Sequence, residues 1–276
     1  MSGSAAADDE LTAALSADLA ARLRAAPQSV AIDDGWVVRN ARLGRVHHLN
    51  AIVLGTTAPL HDRAYDADVI EALTQRWQAQ QLDRCVVIDD EPVAQRLAVG
   101  LQECGWEPQR TLLMALRSDP SAVLRDPRAR VLGEDELRSV QLTCLRQEVA
   151  GPSVLSGLPP LLADAQALLR ATTTSERFGA GEPGAAPASI CTLFLDADVD
   201  GRRVATVEAV ATVREQRERG LARAAVSMAL RAAGEWGADL IVVSADADDW
   251  PQLMYASLGF RALGRRWQFT RRTSST

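Results

Sequence analysis

The stretch Val204–Ala224 holds the residues best suited to grip an anion. Its first ten residues are β-branched or small and read as a strand. Gly220 then opens an alanine-rich segment, Leu221–Trp236, with the composition of a helix. The first amides of a helix have no partner within it, and its dipole adds partial positive charge there. The turn is therefore expected to hold the pyrophosphate of a nucleotide cofactor. It is not G-x-G-x-x-G, which argues against a Rossmann dinucleotide site, and no G-x-x-x-x-G-K-[ST] stands anywhere in the chain. Asp246, Asp248 and Asp249 follow a second apolar run, at the strand end where open sheets bind ligands. They could draw in a cationic amine, although Asp249 also reads as a helix cap with Trp250 and Pro251 behind it. His47, His48 and His61 lack cysteine or carboxylate partners at ligand spacing, so no metal is expected.

Composition narrows the class. In 276 residues, 47% hydrophobic and 24% charged content is that of a globular chain of one large or two ordinary domains. A net charge of −6 argues against nucleic acid or an anionic membrane as main partner. Cys85, Cys104, Cys144 and Cys191 form no C-x-x-C pair and read as buried thiols in a reducing compartment. The acidic amino terminus is no signal peptide, and no run of ~18 apolar residues occurs. The expected location is cytoplasmic, as a monomer or homodimer.

The elements that must position the turn follow in order. Residues 1–8 read as a frayed tail and Asp9–Ala25 as an amphipathic helix with Leu11, Leu15, Leu19 and Leu23 on one face. A hairpin turns at Asp33-Asp34-Gly35, and Leu49–Leu54 is a strand. A helix is expected over Asp68–Gln80, a buried strand over Cys85–Ile88, and a helix capped by Asp90 and closed by Gly105. Leu112–Leu116 ends this half, and Ser118–Arg130 reads as a linker. The second half offers a strand at 130–132, helices over Asp135–Val149 and Leu158–Ala171, and a mobile loop over Thr172–Ser189. Strands at Ile190–Leu195 and 204–213, the alanine-rich helix, and a strand at Leu240–Val243 come next. A helix ending at Gly259-Phe260 leads to Trp267–Phe269, which closes the sheet. The expected domains are 1–118, a linker at 119–130, and 131–276.

The two halves align without gaps at an offset of 154 residues. Gly105 then meets Gly259, Val86-Val87-Ile88 meets Leu240-Ile241-Val242, and Leu49–Leu54 meets Arg203–Glu208. Two copies of one fold account for this, against chance agreement among common αβ patterns. The differences are informative: Asp66 falls on Gly220, Asp68 on Ala222, and Leu101 on Tyr255. The first copy puts carboxylates where a phosphate would sit, which leaves it a structural or substrate-shaping role.

Arg217-x-x-Gly220-x-Ala222 after a strand, followed by Leu253-Met254-Tyr255-Ala256-Ser257-Leu258-Gly259-Phe260, resembles the GNAT N-acetyltransferases. These show Q/R-x-x-G-x-G/A and, further on, a helix ending L-Y-x-x-L-G-F. The resemblance covers about residues 130–270 and makes the whole chain similar to tandem GNAT proteins with a degenerate first copy. It implies an α/β (α+β) fold of two units, each a mixed, largely antiparallel splayed sheet flanked by helices, with acetyl-CoA as co-substrate. Arg217, Glu218, Arg219, Gly220, Leu221, Ala222 and Arg223 would hold the pyrophosphate. Thr212 and Val213 would face the thioester and pantetheine through the main chain, with an amide near Val213 polarising the carbonyl. Tyr255 matches the family's proton donor to the departing thiolate. Glu208 is the expected base, against the reading of a strand carboxylate paired with an arginine. Asp246 and Asp248 would attract the amine, while an asparagine that the family often carries near Asp248 is absent. The implied activity is acyl transfer to an amine of a small molecule or peptide. A non-catalytic acyl-CoA-binding scaffold is the alternative.

Overall fold

The computed structural model describes residues 2–56, 60, 65–77, 83–148 and 157–272. His61, Val149 and the expected helix residues 78–80 lie outside them. In chain order the elements are α1 (Ser2–Ala25), β1 (Val30–Ile32), β2 (Gly35–Arg39), β3 (Asn50–Leu54), α2 (Ala67–Trp77), β4 (Arg84–Ile88), α3 (Glu91–Glu103) and β5 (Glu107–Leu116). Next come β6 (Ala129–Val131), α4 (Glu134–Glu148), α5 (Leu158–Thr172), β7 (Ser175–Ala180), β8 (Ser189–Val199) and β9 (Arg202–Thr212). The chain ends with α6 (Leu221–Trp236), β10 (Leu240–Asp246), α7 (Pro251–Ser257) and β11 (Phe260–Arg271). Two compact units emerge. Unit 1 holds Met1–Leu113, Ala245–Asp249 and Leu263–Thr276; unit 2 holds Met114–Ser244 and Trp250–Ala262.

In unit 1 the strands run β1-β2-β3-β4-β11-β5. β3 and β4 are parallel, with Ile52 opposite Val86; β2 is antiparallel to both β1 and β3. The last strand corrects an expectation. Instead of closing the sheet of the second half, β11 lies antiparallel to β4, Trp267 opposite Ile88 and Phe269 opposite Val86. Side chains two apart share a sheet face, so Trp267 and Phe269 enter one cluster with Val86, Ile88, Leu97 and Trp106. Their rings stack with centroids 5.8 Å apart. Arg266, directly before Trp267 in sequence, is buried against carboxylates of α1 and of the residue after β4. It donates to Asp89, which also accepts from Thr56, and to Asp18, which takes Arg22 as well at 2.8 Å. Burial alone would raise the Asp18 carboxyl, but Arg22 and Arg266 hold it well below its usual range.

α1 begins at Ser2 rather than after a frayed tail, as the alanines at 5–7 favour helix. Asp66, just before α2, accepts the Val69 amide at 2.8 Å and so fills the helix N-terminus with a carboxylate.

In unit 2 the order is β10-β9-β8-β7-β6, with β9 and β10 parallel and the remaining pairs antiparallel. The expected mobile loop after α5 instead contains β7, paired to β6 and β8. Its glycine explains the fit: a Cβ at Gly179 would lie 2.5 Å from Leu132 and 2.7 Å from the Ser189 carbonyl. Glycine there marks close strand approach, not flexibility. The expected linker is also ordered. Arg231 donates to the carbonyls of Ser121 and Val123, each at 3.2 Å, and thereby straps the segment along α6.

The halves repeat one element order at the offset of 154. α2 and α6 start at matching positions, Ala67 and Leu221, and the parallel pairs β3/β4 and β9/β10 correspond. Gly55 (φ 85°) matches Ala209 (φ 52°), so the same left-handed break follows both parallel ladders. Among the described residues no helix is long and apolar enough to cross a membrane.

Candidate active site in unit 2

β9 and β10 pair in register from Val204 with Leu240 to Val207 with Val243, and there the ladder stops. The cause is a bulge. Opposite β9, the register on β8 shifts between Ile190 and Thr192, and Ala209 takes a positive φ that a non-glycine residue rarely adopts. Just past the last ladder pair, the Glu208 side chain accepts a hydrogen bond from Ser244 Oγ of β10 at 2.7 Å. Thr192 stands opposite Glu208 on β8, and its buried hydroxyl has no hydrogen-bond partner among the described residues.

Tyr255, on α7, is 4% exposed and packs edge-on against Phe260 with ring centroids 5.9 Å apart. Burial raises its hydroxyl above the usual range near 10, and the charge of Glu208 and the Cys191 thiol add to the rise. The structure thus brings Glu208 and Tyr255 into one electrostatic neighbourhood. α7 can end where it does because Gly259, at φ 100°, admits Ser118, whose Oγ donates to the Leu258 carbonyl at 3.2 Å. A Cβ at Gly259 would sit 2.4 Å from that oxygen. The residue at the α7 cap position is Trp250, not Asp249, and no side chain caps the helix there.

A turn with left-handed residues does stand between β9 and α6. After β9 a short 3-10 turn at Arg214–Gln216 leads to Glu218 (φ 64°) and Gly220 (φ 77°), both left-handed, and α6 begins at Leu221. No side chain caps α6, and its first helical bond runs from the Ala224 amide to the Gly220 carbonyl at 3.0 Å. The amides of Leu221, Ala222 and Arg223 precede that bond and stand at the helix mouth. Leu221 contributes only its amide, since its side chain is 1% exposed. The flanking arginines are braced. Arg217 donates to the Thr212 carbonyl and Glu148, each at 3.2 Å; Arg219 faces Glu182 at 4.0 Å; Arg223 donates to Ser257 Oγ at 2.8 Å.

One expected role is corrected. The Val213 amide donates to the Ala188 carbonyl at 2.9 Å, one residue past the last β8–β9 pair, and is not open to a ligand. Main-chain groups alternate sides along a strand, so the neighbouring Thr212 amide points away from β8. Asp248 is likewise engaged. It forms a bidentate pair with Arg110, and its amide donates to Asp246 Oδ1 at 2.9 Å; all three residues belong to unit 1.

Three contributors went unnoticed in the sequence. Ser244 orients Glu208, Arg128 donates to the Arg219 carbonyl at 2.9 Å, and Ser257 anchors Arg223. A serine in an apolar run and an arginine in a charged segment carry no spacing signal. Beside the cradle lies a cavity of about 780 Å³ walled by Leu124, Arg125, Arg128, Arg223, Ser227 and Ser257. Open helix-mouth amides, adjoining cations and a cavity of nucleotide size fit the diphosphate end of a coenzyme A. In unit 1 the same helix mouth is closed by Asp66 and fits no phosphate.

No protein-family model matches the chain, and no curated protein matches it. Solved structures do. A GCN5-related N-acetyltransferase from Kribbella flavida is 19% identical, with TM-score 0.56 over 92% of this chain and 95% of that one. A functionally unknown conserved protein from Staphylococcus epidermidis is 11% identical, with TM-score 0.61 over 88% and 93%. A Drosophila protein is 12% identical, with TM-score 0.51 over 82% and 71%. The chain therefore has the fold of that GCN5-related N-acetyltransferase, the fold that the two sequence motifs implied.

Proposed function

We propose that the protein is an acetyl-CoA-dependent N-acyltransferase that acts on an amine of a small molecule or peptide by direct attack on the thioester. One observation carries the reading. Within unit 2, an uncapped α6 mouth and the Glu208–Tyr255 pair flank the point where β9 and β10 part. The co-substrate would supply an activated acyl group, and this chain's residues supply the proton management and the positioning.

The amides of Leu221, Ala222 and Arg223 hold the diphosphate, with Arg128 and Arg223 adding positive charge. The Thr212 amide donates to the acyl carbonyl oxygen as it gains charge. Ser244 holds the Glu208 carboxylate in place, and that carboxylate accepts the proton lost by the attacking amine. Tyr255 stays protonated at neutral pH and can give its proton to the departing thiolate. The second reading, an acyl-CoA-binding scaffold without turnover, draws support from the engagement of Asp248 by Arg110, which leaves the acceptor one carboxylate fewer.

Calorimetric titration of acetyl-CoA into the wild type and Gly220→Glu tests binding, and heat that persists in the variant counts against the cradle. Thiol release across an amine panel, repeated with Tyr255→Phe, tests turnover. Binding without release with any amine favours the scaffold.

A further inference from the structure

Residues 120–128 belong to unit 2 and run along α6 against the direction of the helix. A Cβ at Gly234 would lie 2.8 Å from Pro120, Arg231 holds the Ser121 and Val123 carbonyls at 3.2 Å each, and Arg128 reaches the Arg219 carbonyl at 2.9 Å. Residues 124–127 therefore lie beside the first three turns of α6, roughly 16 Å of helix. With Arg223 and Ser227 they wall the cavity of about 780 Å³. Two side chains of this wall contribute little to the fold. Leu124 is 87% exposed, more than any other large apolar side chain among the described residues. Arg125 is exposed and makes no side-chain hydrogen bond or ion pair among the described residues. The acids of the lining are engaged. Asp126 takes Arg128 Nε at 3.0 Å and NH2 at 2.8 Å, Glu182 faces Arg219 at 4.0 Å, and Asp119 accepts from the Ser121 amide at 2.8 Å and hydroxyl at 2.7 Å. Arg223 bonds only the neutral oxygens of Ser257, so it and Arg125 are the cations of the lining without a carboxylate.

Coenzyme A branches from its diphosphate in two directions, pantetheine one way and adenosine 3′-phosphate the other. With the diphosphate at the α6 mouth, the pantetheine has to run to the point where β9 and β10 part. The adenosine then leaves along the strapped segment. We propose that residues 124–125 form its subsite: Leu124 covers the face of the purine, and Arg125 pairs with the 3′-phosphate. The chain would thereby select coenzyme A thioesters over those that lack this phosphate. The proposal rests on the coenzyme reading of the cradle and adds to it the residues that recognise the far end of the co-substrate. The straps from Arg231 and Arg128 hold both ends of the segment, so its side chains meet the ligand with little ordering left to do.

The test titrates the full chain by calorimetry with acetyl-CoA and with acetyl-3′-dephospho-CoA at low salt. Acetyl-CoA is expected to bind about fivefold tighter, and the margin should shrink as salt is raised. Arg125→Gln should bring acetyl-CoA down to the dephospho value, whereas Arg125→Lys should keep most of the margin. Leu124→Ser, at a solvent-facing position, should weaken both probes alike, by about threefold. Equal affinity of the wild type for the two probes, a margin that survives Arg125→Gln, or unchanged binding in Leu124→Ser would overturn the subsite and leave the cradle standing. Absence of heat from both probes would overturn the cradle and the subsite together.

Discussion

Gly220→Asp gives the second half the residue that the first half carries at the same place, and its effects on stability and on ligand binding should part. Aspartate at a left-handed position costs about 1 kcal/mol relative to glycine. A carboxylate at an uncapped helix mouth returns about 1 kcal/mol through capping and the dipole. There is room for it, since a Cβ at Gly220 comes no nearer than 3.5 Å to Arg128. Unfolding free energy should therefore change by less than about 1 kcal/mol. The ligand meets a different balance. A diphosphate brings two charges to within about 4 Å of the new carboxylate, and even at the dielectric of water each repulsion is about 1 kcal/mol. The sum of about 2 kcal/mol is roughly a 30-fold loss of acetyl-CoA affinity, before the loss of the blocked amides is added. Urea unfolding and calorimetric titration measure the two quantities on one preparation. A variant that binds acetyl-CoA within about twofold of the wild type would refute the cradle. Equal losses of stability and binding would show a folding defect instead.

The remaining predictions concern protons and buried charge. Tyr255→Phe should lower turnover by about 100-fold or more with little change in acetyl-CoA affinity. Because Tyr255 titrates above 10, stopped assays of the wild type should show no alkaline loss assignable to it below that pH. Ser244→Ala should lower turnover less than Glu208→Gln, since it removes one hydrogen bond to the carboxylate and leaves the carboxylate itself. Arg266→Met strands two carboxylates in unit 1 and should cost about 3–5 kcal/mol in urea unfolding, much of it recovered by adding Asp89→Leu and Asp18→Leu. Burial first, then the nearby Arg22, pushes His48 down to about 4 from 6.5. The unfolded chain therefore binds a proton that the native state refuses, and stability present above pH 6.5 should fall as pH drops toward 4, by up to about 3 kcal/mol. His48→Gln should flatten that slope in pH-dependent unfolding.

Short-range pattern determined the parts of this protein that sequence alone could reach. Gly220 after a β-branched strand and before an alanine-rich helix defines the cradle, because backbone amides and a left-handed turn depend on neighbours a few residues away. The offset of 154 and the contrast of Asp66 with Gly220 are legible for the same reason, and Asp66 caps its helix as its residue type suggests. Tertiary structure alone decided which strand takes which edge. The run Trp267–Phe269 has an apolar face that suits several partners, and it pairs with β4 of unit 1. It also decided that Gly179 lies in a strand, since nothing local reveals that Leu132 and the Ser189 carbonyl crowd its missing Cβ. The opening at Glu208 belongs to the same class. A single left-handed residue, Ala209, ends the β9–β10 ladder, so Glu208 meets Ser244 and Tyr255 across 36 and 47 positions of chain. Contacts that distant follow from strand register and helix packing, and no spacing in the sequence encodes them.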